Sequence, residues 1–332
     1  MHGTELDLSS YADPVGSWST SLANVAEVLV PCLDLTGARS VAEIGAYSGD
    51  LTRLLADWAA RSGARVLAID PAPKPRLLEL DENRDEIVLI RDTSVNALPR
   101  IDSCDAVVID GDHNWWTVSE ELRLIAERAA GGALPLLLFH DVGWPHAFRD
   151  DYFASEQIPA EHRHPVAGPD ESQGLYPGDP GLRPGGLPYP RSAAREGGPH
   201  NGVRRAVEDF VSSRDGLRFV SVPAFFGFGV VWQEDAPWAG RLAEFLESWD
   251  ENPVIARLEA NRVRLLADLH VQATDLWRER ERRARQEALL RRMLESSAFA
   301  LAERLSRLRL RAGIATRQVA ITREEIRRAL RD

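Results

Sequence analysis

Short apolar runs alternate with longer stretches of helical spacing along the first 140 residues. Val41–Gly45, Val66–Asp70, Ile87–Ile90, Ala106–Asp110 and Leu134–Phe139 are compact, rich in branched side chains, and predict strands. Between them, Leu51, Leu54, Leu55 and Trp58, then Leu122, Ile125 and Ala129, recur at helical intervals. Continuous apolar strands separated by helices predict a parallel sheet covered on both faces. Ligands of open α/β sheets bind at the carboxyl ends of the strands. Asp70 and Asp110, which close two of the runs, therefore mark the edge where a site is expected.

From Ala147 to Asn201 the pattern dissolves, and Pro and Gly crowd Pro165–Pro199. A loop this long is expected to be either a functional lid or disordered. Order returns with a helix over Gly202–Ser212, with Val203, Ala206, Val207 and Phe210 on one face and Asn201 as its N-cap. Leu217–Val222 and Phe225–Trp232, joined at Pro223-Ala224, complete a seven-stranded sheet. After Pro253 two leucine stripes follow, Leu258 to Leu276 and Leu290 to Leu308, separated by the charged run Arg278–Gln286. Gly313 is placed as a helix end, and Thr322 with Glu325 as a capping box. The expected organisation is a helical lead-in (1–39), an α/β domain (40–235) with a lid loop (147–201), and a basic helical extension (236–332), with a coiled coil as one form it can take.

Composition refines this picture. With 44% hydrophobic residues a buried core is well supplied, and no apolar run approaches the roughly 20 residues of a membrane span. Met1–Asp7 lacks the features of a secretory leader, and Cys32 and Cys104 give no disulfide framework, so a cytoplasmic location is expected. The net charge of −11 is uneven: Arg257–Asp332 carries +8 and the remainder −19. An acidic body speaks against a nucleic-acid groove. In the basic tail, Glu279, Glu281, Glu287, Glu295 and Glu303 are interleaved with arginines at pairing distance, so homo-oligomerisation is favoured, then protein docking, over membrane or nucleic acid.

Chemistry concentrates at the strand ends. Glu43-Ile44-Gly45-Ala46-Tyr47-Ser48-Gly49 joins the first strand to the first helix, where glycines permit a tight turn and a helix N-terminus favours negative charge. Asp70-Pro71 ends the second strand, where a carboxylate can take both ribose hydroxyls. A dinucleotide turn needs Gly-x-Gly-x-x-Gly, and Ala46 and Tyr47 stand where it needs space. S-adenosylmethionine has no phosphate, and Glu43 suits its ammonium.

Glu43-x-Gly45-x-x-x-Gly49 resembles the first motif of the class I S-adenosylmethionine-dependent methyltransferases, Asp70 their ribose acid, and Asp92-Thr93-Ser94 their adenine border. The resemblance covers roughly Ser40–Trp232 and implies a Rossmann-like seven-stranded fold with one antiparallel strand. Asp110-Gly111-Asp112-His113 and His140-Asp141 narrow it to the metal-dependent sugar O-methyltransferases of natural-product biosynthesis, of the macrocin and mycinamicin type. That likeness implies a divalent ion, magnesium first, on Asp110, His140 and Asp141, with His113 or Asp112 as base. His140 departs from the relatives' usual Asp or Glu and admits manganese or iron, or a second base. Plain structural readings stand beside these: Asp110 as a helix cap near Trp115, His140 as a buried histidine, and Glu196–Gly202 as a turn. As a lid hinge, Glu196, His200 and Asn201 would meet acceptor hydroxyls, and Trp144, with Trp115 and Trp116, could stack on a sugar.

The expected activity is methylation of a hydroxyl on a sugar or glycosylated natural product. The alternatives are metal-free methylation of a non-sugar small molecule, and a nucleotide-binding scaffold whose tail recruits partners.

Overall fold

The computed structural model describes residues 6–12, 20–129, 132–168, 173–314 and 321–330; parts of the lead-in, lid and tail named above lie outside them. Contacts divide the chain into two compact units, Met1–Asp268 and Leu269–Asp332.

In the first unit, helix α1 (Ala26–Thr36) precedes strand β1 (Ser40–Ile44). The chain continues through α2 (Asp50–Ser62), β2 (Arg65–Ile69), α3 (Pro75–Asn83), β3 (Ile87–Ile90), the short α4 (Ser94–Ala97), β4 (Ala106–Ile109), α5 (Trp115–Arg128) and β5 (Leu136–Phe139). The lid carries the two-residue strands β6 (Gln173–Gly174) and β7 (Arg183–Pro184). Beyond it come α6 (Val203–Ser212), β8 (Leu217–Val222), β9 (Phe228–Gln233), α7 (Ala239–Leu246) and α8 (Pro253–Glu295), which crosses into the second unit. The seven long strands form one sheet in the order β3-β2-β1-β4-β5-β9-β8. All pairings are parallel except those of β9 with β5 and β8, so β9 alone is reversed.

Strand period 2 sorts the core into two layers. Val41, Val108, Leu136, Leu138, Val230 and Trp232 join α1, α2 and α7 on one face. Ala42, Ile44, Val107, Ile109, Leu137, Phe139 and Val231 join α5 and α6 on the other. Both faces are covered, which is why the central strands β4 and β5 read as unbroken apolar runs. Leu242 and Leu246 of α7 are buried in the first layer, so the sheet's own core extends past Asp235.

The expected strand Phe225–Trp232 begins three residues late. Phe225, Phe226 and Gly227 all have positive φ and make the turn instead, longer than a connection at Pro223-Ala224. Asn201 does not cap α6: Gly202 is the N-cap, without a side-chain bond, and its N–H donates to Asp150 Oδ1. Asn114, rather than Asp110, caps α5, accepting from Thr117 N. Described parts of the lid are folded, with Tyr152, Ile158, Leu175, Leu187 and Ala193 buried.

In the second unit α8 ends at Glu295 and Ser296 caps α9 (Ser297–Arg311), which splits the second leucine stripe between two helices. Gly313 at φ 69 closes α9, and Thr322 and Glu325 form the capping box of α10 (Arg323–Ala329). Among the described residues, no helix is long and apolar enough to cross a membrane.

Candidate active site

The carboxyl ends of β1, β2, β4 and β5 open on a cavity of about 1070 Å³. Each strand exit is fixed by one further step of the ladder. Gly45 N donates to Ile69 O, Asp110 N to Ile44 O, and His140 N to Ile109 O, at 2.9, 3.0 and 3.1 Å. The sequence runs straight from buried strand to polar residue, so these side chains leave the sheet at adjacent points.

Gly45 has φ 87, and a Cβ there would fall 2.1 Å from the Asp110 carbonyl oxygen. Only glycine lets the turn lie this close to the exit of β4. Ala46, Tyr47 and Ser48 follow it around the cavity. Gly49 serves packing instead: it lies outside the cavity wall, and a Cβ would meet Leu80 of α3 at 2.7 Å. Glu43, on the face covered by α2, is buried and accepts a hydrogen bond from Thr52 at 2.7 Å. Burial pushes its pKa up to about 8, against the opposing Thr52 bond. Asp70 accepts from Tyr47 N through Oδ2 and from Ala72 N through Oδ1, both at 2.7 Å. One lone pair on each oxygen is left for a ligand. Pro71, Thr93 and Ser94 line the wall, whereas Asp92 turns away to bind Thr93 N, Asn96 and Arg100.

Asp110, His140 and Asp141 bring three potential ligand atoms within 4.8 Å of one another. His140 Nδ1 lies 3.0 Å from Asp110 and 3.4 Å from Asp141, while Nε2 donates to the Phe225 carbonyl at 2.9 Å. A histidine whose outer N–H is spent on a carbonyl presents its other nitrogen's lone pair to a metal. The donor set therefore fits a divalent cation. Asp141 has φ 58, which takes the chain sharply off β5.

His113 Nδ1 bonds Asp141 Oδ2 at 2.8 Å. Burial lowers the pKa of both His113 and His140, but the charges of Asp141 and Asp110 prevail and carry them up to about 10 and about 9. Burial raises Asp141, yet the two imidazoles hold it well below the usual carboxylate range. Without a cation, these carboxylates favour the protonated imidazole at His113. Asp112 has both oxygens engaged, Oδ1 by Phe153 N and Oδ2 by Thr117 Oγ1, and burial raises its pKa.

The acceptor candidates from the loop do not meet here. Trp144 packs against Tyr176, Leu187 and Ala267. Glu196 faces Arg149 at 3.7 Å beside a smaller surface cavity. His200 lies tilted against the Trp115 ring, centroids 4.0 Å apart, and Asn201 is buried, holding Asp150 N and two loop carbonyls. Trp116 does reach the cavity. The lid contributes Asp151, Phe153, Gln157, Tyr189 and Arg191, and His146 joins them from just before it; sequence reasoning missed all six. Their one signal is proximity: His146 and Asp151 follow His140-Asp141 within eleven residues.

Residues 42–142 match the family model described as a methyltransferase domain. Over this span the chain is similar to a methyltransferase domain. The matched span holds the Gly45 turn, Asp70, Asp110 and Asp141, and stops before the lid. Similar solved structures include a methyltransferase from Podospora anserina bound to S-adenosylhomocysteine (SAH), 17% identical over 69% of this chain and 88% of that one, with a TM-score of 0.43. An O-methyltransferase from Bacillus cereus in complex with SAH is 12% identical over 65% and 83%, with a TM-score of 0.37. No curated protein sequence matches the chain.

Proposed function

We propose that the protein moves a methyl group from S-adenosylmethionine to a hydroxyl of a sugar or glycosylated small molecule, assisted by a divalent cation. The observation that carries this reading is the Asp110–His140–Asp141 cluster, which shares one cavity with the Gly45 turn and Asp70. Gly45, Ala46, Tyr47 and Ser48 would take the methionine end, with Glu43 toward its ammonium. Asp70 would hold the ribose, and Pro71, Thr93 and Ser94 would border the nucleoside. Asp110, His140 and Asp141 would hold the cation: two carboxylates suit magnesium, and the imidazole admits manganese or iron.

Such a cation would lower the pKa of a bound hydroxyl and offset the negative charge that keeps His113 protonated. His113, fixed at Nδ1 by Asp141, then has Nε2 as the base for the acceptor proton. Asp112, with both oxygens occupied, serves better to anchor Phe153 and the lid than to take a proton. Positioning does the rest, since transfer needs the acceptor oxygen in line with the methyl group. Asp151, Gln157 and Arg191 offer polar groups and Trp116, Phe153 and Tyr189 offer ring faces, a mixture that suits a polyhydroxylated ring.

Calorimetry with SAH and with Mn²⁺ or Mg²⁺ tests the two halves separately. SAH binding without any metal binding would leave a metal-free methyltransferase of a non-sugar acceptor, and absence of both would leave the scaffold reading. Methylation of a panel of glycosides that survives excess EDTA would remove the cation from the mechanism.

We also infer that the helical extension pairs with a second copy. Leu258, Leu265, Leu269 and Leu276 on α8, and Leu301, Leu305 and Leu308 on α9, are all more than half exposed. Light scattering of Leu269→Glu/Leu276→Glu should show a monomer where the wild-type chain is a dimer; a monomeric wild type would end this reading.

A further inference from the structure

Helix α8 touches the wall of the candidate active site through one turn, Phe225-Phe226-Gly227. Early in the helix Val263 and Ala267 are buried, while Leu258 and Leu265 are exposed on another face. Glu259 and Arg262 share the inward stripe with Val263 and Ala267, at the spacing of one helical face. Their side chains are only 16% and 23% exposed. Charges placed there are costly unless they are paired and hydrogen-bonded. Here they are paired: Arg262 Nε donates to Glu259 Oε2 and Nη2 to Oε1, both at 2.7 Å.

The pair also grips the turn. Glu259 Oε1 accepts from the main-chain Phe226 N at 2.8 Å, and the Arg262 guanidinium lies 4.4 Å from the centroid of the Phe226 ring. Phe225, Phe226 and Gly227 have φ of 50°, 69° and 95°. Phenylalanine is disfavoured in that region, so such a turn persists only where its surroundings hold it. On its other side the turn presses on the chain leaving β5. Gly143 N donates to Phe226 O at 2.6 Å, and a Cβ on Gly227 would fall 2.3 Å from Gly143 N. Phe226 lines the cavity, and the Phe225 carbonyl accepts from His140 Nε2 at 2.9 Å. That bond sets which imidazole nitrogen carries a proton and which way the ring faces.

We propose that Glu259 and Arg262 are positioning residues of the cation cluster. By fixing the Phe225-Phe226 turn, they hold the carbonyl that keeps His140 Nδ1 toward Asp110 and Asp141. Neither residue lines the cavity. The assignment rests on the divalent-cation reading given above, and it places part of the cation's affinity on a helix outside the site.

The test titrates the full chain with Mn²⁺ by calorimetry, with SAH binding in the absence of metal as the measure of an intact sheet edge. Glu259→Ala should weaken Mn²⁺ about tenfold and leave SAH within about twofold. Glu259→Gln keeps an oxygen to accept from Phe226 N and should stay within about threefold of the wild type. Electron spin-echo spectra of bound Mn²⁺ supply a signature that loosened packing would not imitate. Nitrogen coupling from the ligated imidazole should be present in the wild type and Glu259→Gln, weakened in Glu259→Ala, and absent in His140→Ala. Unchanged Mn²⁺ affinity in Glu259→Ala overturns the assignment. So does an equal loss in Glu259→Gln, because the carboxylate would then act by its charge and not through the turn. Should Glu259→Ala lose SAH binding as well, Arg262→Ala decides: about threefold weaker Mn²⁺ with SAH unchanged supports the assignment, and unchanged Mn²⁺ overturns it. A wild-type chain that binds SAH and takes up no Mn²⁺ strikes the cation reading itself, and this assignment with it.

Discussion

The two walls of the cavity are built by different means. The sheet-edge wall carries Gly45, Asp70, Asp110 and His140 on main chain already locked by strand pairing. The opposite wall, of the lid and the residue before it, carries His146, Asp151, Tyr189 and Arg191 on loops that side chains hold in place. Asp150 does much of this: its Oδ1 accepts from Trp115 N and Gly202 N at the starts of α5 and α6, and its Oδ2 from Tyr152. Arg149, fully buried, donates to the carbonyls of Ala193 and Pro180. One wall inherits its geometry from a repeating pattern; the other depends on a few irreplaceable polar contacts.

The largest predicted effect is at the sheet-edge wall. Gly45→Ala forces a methyl group onto the Asp110 carbonyl at a φ that disfavours alanine, with backbone on both sides. Chemical denaturation should show a loss of at least about 3 kcal/mol, together with loss of SAH binding. A variant with the wild-type midpoint would mean that the edge is plastic after all.

Next comes the lid wall. Asp150→Ala leaves two helix-start N–H groups and a tyrosine hydroxyl without their acceptor, at a cost of about 2–3 kcal/mol. Limited proteolysis should then cut first within 147–201. If cleavage instead starts in the tail at the wild-type rate, the lid does not hang on Asp150.

Asp141→Asn touches chemistry more than folding. It should weaken Mn²⁺ binding on the order of 100-fold while SAH affinity stays within about threefold. Unchanged Mn²⁺ affinity would place the cation elsewhere.

The smallest effect is a slope. Glu43, with its pKa pushed up to about 8 in the fold, holds its proton more tightly folded than unfolded. Its contribution to stability is therefore complete below the unfolded value near 4.5 and is lost as pH rises through about 8. Melting temperatures of the ligand-free chain should fall across that window, and Glu43→Gln should flatten the fall. Glu121, buried and raised in the same way, leaves a residual slope. Parallel curves for variant and wild type would show that Glu43 is ionised in the fold.

The contrast between the walls also explains what could be read from the amino-acid order. Ile87–Ile90 and Leu217–Val222 were legible to the residue because branched and aromatic side chains dominate both runs. Asp110, His140 and Asp141 were legible because strand ends fix their place along the sheet edge. Phe225 and Phe226 were misread as strand: their apolar side chains suit a sheet, and nothing in them announces the positive φ that the turn requires. Asn201 has the composition of a cap, but Gly202 holds that position at α6 while Asn201 accepts from Asp150 N, and no local pattern connects residues so far apart. His146 and Tyr189 were invisible for the same reason, being brought together only when the lid folds back.

The closeness of Gly45 to Asp110 carries one more consequence. The turn that would embrace the methyl donor and the main chain that would present a cation ligand are separated by no more than a hydrogen atom's room. Any adjustment of one surface is felt by the other, so filling either site should change the affinity of its neighbour. By thermodynamic linkage that change is the same factor in both directions. Titrating SAH with and without Mn²⁺, and Mn²⁺ with and without SAH, should return one coupling constant. Donor and cation then behave as a single cooperative ligand, and the acceptor meets a site that is either fully dressed or bare.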